Sequence, residues 1–248
     1  MVLVREIIAY LRRIISSADV GSFSFIRDVH TPVSGIIISE LLTPSVVRYL
    51  KTREKNMFLV VYDILGLSHE TIDIVATTLD MDLFVVKDGW TISKGGMFDI
   101  VIERTGAKRV HPLGAAPFYE GMEYVLEGEK PLKEIMLNIC EGTPAFFTKG
   151  RRGRVRKIRI YKKLTETRLT ECGERDVDLV VGFDVPLRMH IIATELSLNL
   201  LSLPLETAYQ RATDRLYAYI TKAFPEVPVE RIKTVPRVLF NFIGRQAT

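Results

Sequence analysis

Between Met57 and Trp90 the chain reads MFLVVYDILGLSHETIDIVATTLDMDLFVVKDGW, an order of apolar runs around an amphipathic segment that few folds satisfy. Met57 to Tyr62 is an unbroken apolar run of strand length, rich in β-branched and aromatic residues and stopped by Asp63. Such a run suits a strand buried on both faces, as in a parallel sheet. Ser68 can cap a helix in which Ile72, Val75, Ala76 and Leu79 recur at three- and four-residue spacing, giving one face to lie on that sheet. Leu83 to Val86 is a second strand, followed by Lys87 and Asp88. A crossover of this length makes a right-handed βαβ unit and brings Asp63 and Asp88 to one sheet edge. Ligands of open α/β sheets sit at that carboxyl edge.

The 248 residues suffice for one large domain or two modest ones, and a composition 47% apolar and 26% charged is that of an ordinary soluble protein. No apolar run approaches the roughly 20 residues of a membrane-spanning helix. Arg5, Arg12 and Arg13 interrupt the N-terminal segment before a signal-peptide core could form, so a cytoplasmic location without membrane association is expected. Cys140 and Cys172 are too few for a disulfide framework or a zinc site and read as free, partly buried thiols.

Val2 to Ile15 has the period of an amphipathic helix, Phe23 to Ile26 that of a short strand, and Arg27 to Gly35 is a loop leading to an apolar helix from Ile36 to Leu42. Thr43 and Pro44 start another helix, running to about Lys55. Beyond Trp90, Phe98 to Glu103 reads as a third strand, Leu113 to Gly128 as a mostly helical run, and Pro131 to Cys140 as a helix ended by Gly142. The character then changes. TPAFFTK, GRRG and RVRKIRIYKKL suggest a hairpin, Thr165 to Thr170 and Val177 to Phe183 further strands, and Pro204 to Phe224 a C-terminal helix. Leu187 to Leu203 suits helix or strand, and a proline-punctuated tail from Pro225 to Pro236 precedes the apolar VLFNFI. The fold class is therefore α/β, a mostly parallel sheet flanked by helices in the N-terminal half and a β-rich, then helical, C-terminal region. A boundary between 142 and 143 separates these halves, unless one sheet runs through both.

Charge is concentrated where the character changes. Lys149 to Lys163 carries nine basic residues and no acid; without them, 25 basic residues face 30 acidic ones, a net of −5, although the whole chain is +4. The positive field is local. Arg151, Arg152, Arg154, Arg156, Lys157 and Arg159 would present a ribbon of cations to phosphates, with Tyr161, Phe146 and Phe147 as stacking surfaces, so the expected partner is single-stranded DNA or RNA, or another polyanion such as an acidic protein. An edge strand made basic to block aggregation needs fewer charges than this. The mixture of Arg and Lys without a base-reading motif favours backbone recognition.

His30 lies in the loop after the first strand, at the expected edge of Asp63 and Asp88. Together these three could bind a divalent ion, or could simply be turn and cap residues at strand ends. No nucleophile elbow, phosphate-binding glycine loop or dinucleotide fingerprint occurs, and Leu65 to Ser68 is a weak phosphate motif with one glycine.

Taken together, Phe23 to Trp90 resembles the DHH phosphoesterase domain of the RecJ family. HTPVSGIIISELL, His30 to Leu42, stands where the family has its first carboxylate motif; VVYDILG, Val60 to Gly66, where it has strand, aspartate and glycine; and VVKDGW, Val85 to Trp90, where it has aspartate and two histidines. The later LGAAPFYEGMEYVL is similar to a small-residue helix of these domains. Pro32, Ser34, Gly89 and Trp90 occupy ligand positions of active members, so the resemblance implies a degenerate site with no catalytic residues, no metal and no cofactor, of which His30, Asp63 and Asp88 are vestiges. Such a domain in a short basic chain is similar to the archaeal replication-fork member of the family, counterpart of the Cdc subunit of the CMG helicase. It implies a non-catalytic helicase-complex subunit with GINS and MCM as partners. The alternatives are a manganese- or magnesium-dependent nuclease built on His30, Asp63 and Asp88 with help from Asp28 or Asp99, and an RNA- or ribosome-associated protein.

Overall fold

A computed structural model describes residues 1–15, 23–53, 57–63, 69–114 and 119–233. It divides into two compact units. One comprises Met1–Ile8, Phe23–Val85 and Leu216–Thr248, the other Ala9–Ser22 and Val86–Arg215.

Helix α1 (Val4–Ile14) opens the chain. The first unit is then built from β1 (Phe23–Phe25), β2 (Gly35–Leu41), α2 (Pro44–Leu50), β3 (Met57–Asp63), α3 (His69–Leu79) and β4 (Asp82–Val85). The βαβ reading holds: β3 and β4 are parallel, pairing Phe58 with Asp82 through Val61 with Val85. Ala76 and Leu79 of α3 are buried in one cluster with Leu59, Val61, Leu83 and Val85. Helix α2 forms as Thr43 and Pro44 foretell, the Thr43 hydroxyl accepting the Val46 N–H at 3.4 Å. The Ile36 to Leu42 run is no helix; it is β2, parallel to β3, with Ile36, Ile37 and Ile38 fully buried. Stacked isoleucines are stiff at χ1 and fit a pleated surface better than a helical turn. The Leu65–Ser68 motif, the Ser68 cap and the VLFNFI piece lie outside the described residues.

In the second unit the chain continues as α4 (Lys87–Ile92), α5 (Met97–Ile102), β5 (Lys108–Leu113), β6 (Gly121–Pro131), α6 (Leu132–Cys140), β7 (Phe146–Thr148), β8 (Arg154–Tyr161), α7 (Glu166–Glu174), β9 (Leu179–Phe183), α8 (Leu187–Glu195) and β10 (Leu200–Leu203). Helix α9 (Leu205–Ala223) begins here, and β11 (Val229–Ile232) returns to the first unit parallel to β2. The sheets run β1-β4-β3-β2-β11 and β5-β6-β8-β9-β10-β7. The first is parallel except for β1; the second is mixed, with β8, β9 and β10 parallel and the other pairs antiparallel.

Four expectations fail here. Phe98 to Glu103 is helical as α5, where the Asp99 carboxylate accepts the Gly95 N–H at 2.8 Å; a short apolar run of this length does not distinguish a buried helix from a strand. From Gly121 onward the expected helix of Leu113 to Gly128 is the strand β6. The expected strand at Thr165 is α7, whose first turn Thr165 caps through the Arg168 N–H at 3.3 Å. The hairpin does not form: β7 pairs with β10 and β8 with β6 and β9. Because β6 and β8 pair across it, the division expected between 142 and 143 cuts through one sheet.

Among the described residues no helix is long and apolar enough to cross a membrane.

Candidate functional site

Thr148 ends β7 and Arg154 begins β8, yet β10 and β9 stand between these strands. Three inter-strand spacings come to about 14 Å, and six residue steps reach at most about 20 Å, so Lys149 to Gly153 must be drawn over the sheet's end. Polar groups that precede β9 and β10 pin it there. Asn199 accepts the Gly150 N–H at 2.8 Å and donates through Nδ2 to the Arg152 and Asp178 carbonyls at 2.9 and 2.8 Å. The Arg151 N–H donates to Ser197 O at 3.1 Å. A Cβ at Gly150 would come within 2.4 Å of backbone atoms of Ser197 and Leu198, so the contact requires glycine.

Asp178, buried just before β9, is the second anchor. Its Oδ2 accepts the N–H groups of Arg156 and Lys157 at 2.9 and 2.8 Å, and its Oδ1 accepts from the Arg152 guanidinium. Arg152 also meets Asp176 at 2.6 Å; the hydrogen bond to Asp178 is the main cause that raises its pKa. Where the register of β6 against β8 shifts between Val125 and Lys130, a concavity of about 320 Å³ opens, lined by Val125, Glu129, Arg152, Arg156, Lys157, Asp176 and Asp178.

The six cations expected to form one ribbon thus divide. Arg151 and Arg156 are exposed, and no carboxylate pairs with either among the described residues. Lys157 is half-buried and donates to Arg175 O at 3.1 Å. Arg154 reaches Glu129 at 3.4 Å with both side chains largely exposed, a pairing too weakly held to remove the charge. Arg152 is committed to its aspartates. Arg159 is not on the surface: its side chain is 4% exposed, and Nε donates to Glu123 Oε2 at 2.7 Å directly across the β6–β8 pair. Burial alone would lower the Arg159 pKa; the bond to Glu123 and the neighbouring charges outweigh it and raise the value.

The stacking residues are also redistributed. Tyr161 is in the core, its hydroxyl 3.5 Å from Cys172 Sγ, and burial raises the pKa of both groups. Phe146 and Phe147 stand on β7, with β9 and β10 between them and β8.

The residues named for a vestigial cleft take other roles. His30 is exposed in the turn after β1, its N–H donating to Asp28 Oδ1 at 2.9 Å. Asp63 ends β3, and its side chain lies outside the described residues. Asp88 ends no strand; it sits in the first turn of α4, in the other unit, and pairs with Lys162. Trp90, at a ligand position of the DHH pattern, is fully buried and donates from Nε1 to Ala212 O at 3.1 Å. Asp99, weighed as an added ligand, accepts from the Tyr124 hydroxyl. No group of three or more His, Cys, Asp or Glu able to hold a metal ion occurs among the described residues.

Glu123, Asp178 and Asn199, which organise this region, are far in sequence from the cations they hold. Their only local sign is a polar residue beside an apolar run.

No family model matches the sequence, and no curated protein matches it. Solved structures do match along its length. Hypothetical protein SA1388 of Staphylococcus aureus is 13% identical with a TM-score of 0.71, covering 97% of this chain and 99% of that one. A Bacillus cereus protein related to NIF3 is 12% identical with a TM-score of 0.70, covering 98% and 99%. Reduced HcgD from Methanocaldococcus jannaschii is 13% identical with a TM-score of 0.74, covering 93% and 97%. This overturns the RecJ-like reading, and with it the GINS-associated replication subunit and the divergent DHH nuclease. The chain has the fold of these three proteins, the Bacillus cereus one being related to NIF3.

Proposed function

We propose that this protein binds a polyanion, and that the phosphate backbone of single-stranded nucleic acid lies along the ridge formed by Arg151, Arg154, Arg156 and Lys157. The observation that carries the reading is the pinned backbone beneath those cations. Asn199 and Asp178 fix Gly150, Arg152, Arg156 and Lys157 by hydrogen bonds from one end of the sheet. Charges that serve only solubility need no such support, whereas charges held in place lose less entropy on meeting a ligand. The chain carries −5 outside this segment, so the attraction is confined to about one Debye length around it. With Tyr161 buried and the two phenylalanines on another strand, contact is with phosphates, and little sequence preference is expected.

Fluorescence anisotropy with a labelled single-stranded DNA and an uncharged peptide nucleic acid of the same sequence tests this. The DNA is expected to bind at least about tenfold more tightly at low salt. Equal affinity for the two would remove phosphate recognition from the account.

A further inference from the structure

The two outer strands of the six-stranded sheet differ in what they show to solvent. β5 carries Lys108, Arg109, His111 and Pro112, residue types that keep an open edge from pairing with other chains. β7 carries Phe146 and Phe147, and no strand lies beyond it among the described residues. Large exposed apolar side chains gather on β7 and the helices beside it. Phe146 is 75% exposed, and Leu187 and Ile191 are exposed on α8, which is tied to β7 by the contact of His190 Nδ1 with Thr148 Oγ1 at 2.7 Å. On the opposite face of the strand, Phe147 shares an apolar groove of about 270 Å³ with Leu132, Met136, Leu137 and Cys140, and Leu137 is also exposed. An apolar rim around a strand edge that lacks charged side chains and has no strand beyond it among the described residues marks an interaction surface.

The charges at this edge indicate what it takes. Among the described residues Lys133 is the only charged one lining the groove, and Lys149 directly follows β7. No carboxylate pairs with either among the described residues. We infer that β7 accepts an extended acidic peptide from a partner protein, which adds as the next strand, sets alternate apolar side chains against Phe147 and Leu137, and places its carboxylates by Lys133 and Lys149. Main-chain hydrogen bonds supply affinity in this mode, and the groove and the lysines supply selectivity. The inference goes beyond the polyanion reading and uses neither Arg156 nor Lys157.

The probe is a labelled peptide of about seven residues that alternates Glu with Val and Phe, a length within the usual range for a strand. Its control carries Lys in place of Glu. The whole protein is expected to bind the acidic peptide at least about tenfold more tightly than the lysine peptide. Phe146→Glu and Leu137→Glu, both at exposed positions and checked for unchanged circular dichroism, are each expected to weaken binding by about tenfold or more. Arg156→Gln with Lys157→Gln should leave peptide binding intact while weakening DNA binding, which separates failure of one reading from failure of the other. Equal binding of the two peptides, or wild-type affinity in both glutamate variants, would overturn the inference. So would a dimer in sedimentation that Phe146→Glu abolishes, because that assigns the edge to a second copy, or competition at β7 by single-stranded DNA that survives the Arg156 and Lys157 changes.

Discussion

Arg159→Ala should lower the unfolding free energy by about 3–5 kcal/mol, because it strands the buried Glu123 carboxylate without its partner. Glu123→Ala should cost about as much in the opposite sense, leaving a guanidinium under α7 beside Tyr161 and Cys172. Replacing both residues with apolar side chains of similar volume should recover most of the loss, since the pair's attraction little more than offsets the desolvation of its members. Urea unfolding of the two single variants and the Arg159→Met, Glu123→Leu double variant measures this coupling. Losses under about 1 kcal/mol for both singles would mean that the ion pair is solvated and that Arg159 belongs to the surface after all. The distinction matters for function. A nucleic-acid contact and a core ion pair both lose binding when deleted, but only the second loses it through unfolding.

Trp90→Ala should cost about 3–5 kcal/mol, chiefly through the cavity it leaves and in lesser part through the lost hydrogen bond to the Ala212 carbonyl. Trp90→Phe should cost less, because it retains most of the apolar volume while still losing the hydrogen bond. Near-wild-type thermal stability of Trp90→Ala would contradict a core role. This residue shows how a family pattern misleads when only types are compared. Tryptophan at a ligand position reads as a lost histidine, whereas in the structure it belongs to the short helix α4 and is fully buried.

What the sequence made legible was local. The apolar runs of β3 and β4, the spacing of α3, the Thr43 cap of α2 and the stripe of α9 each state their own structure within a few residues. Short apolar runs stated burial but not type, so the isoleucines of β2 passed for a helix and FDIVIE of α5 for a strand. Pairing was not legible. The chain from Phe146 to Tyr161 looks like a hairpin because its halves are adjacent in sequence, and nothing within it reveals that β9 and β10, contributed later, come between them. The site suffered for the same reason. The sequence presents the cations as one ribbon, but that Arg159 meets Glu123 and Arg152 meets Asp178 emerges only once distant strands align. The DHH resemblance rested on Gly35, Asp63 and Asp88, three positions that a strand start, a strand end and a helix turn satisfy without any shared site.

The salt dependence of single-stranded DNA binding tests most directly the claim that a fixed ridge of surface cations takes phosphates. Each phosphate neutralised contributes about 0.7 to the slope of log affinity against log salt. The variant Arg151→Gln, Arg156→Gln, Lys157→Gln should therefore show a slope shallower than wild type by about 2, with its unfolding midpoint unchanged. A slope identical to wild type in that folded variant would contradict the account.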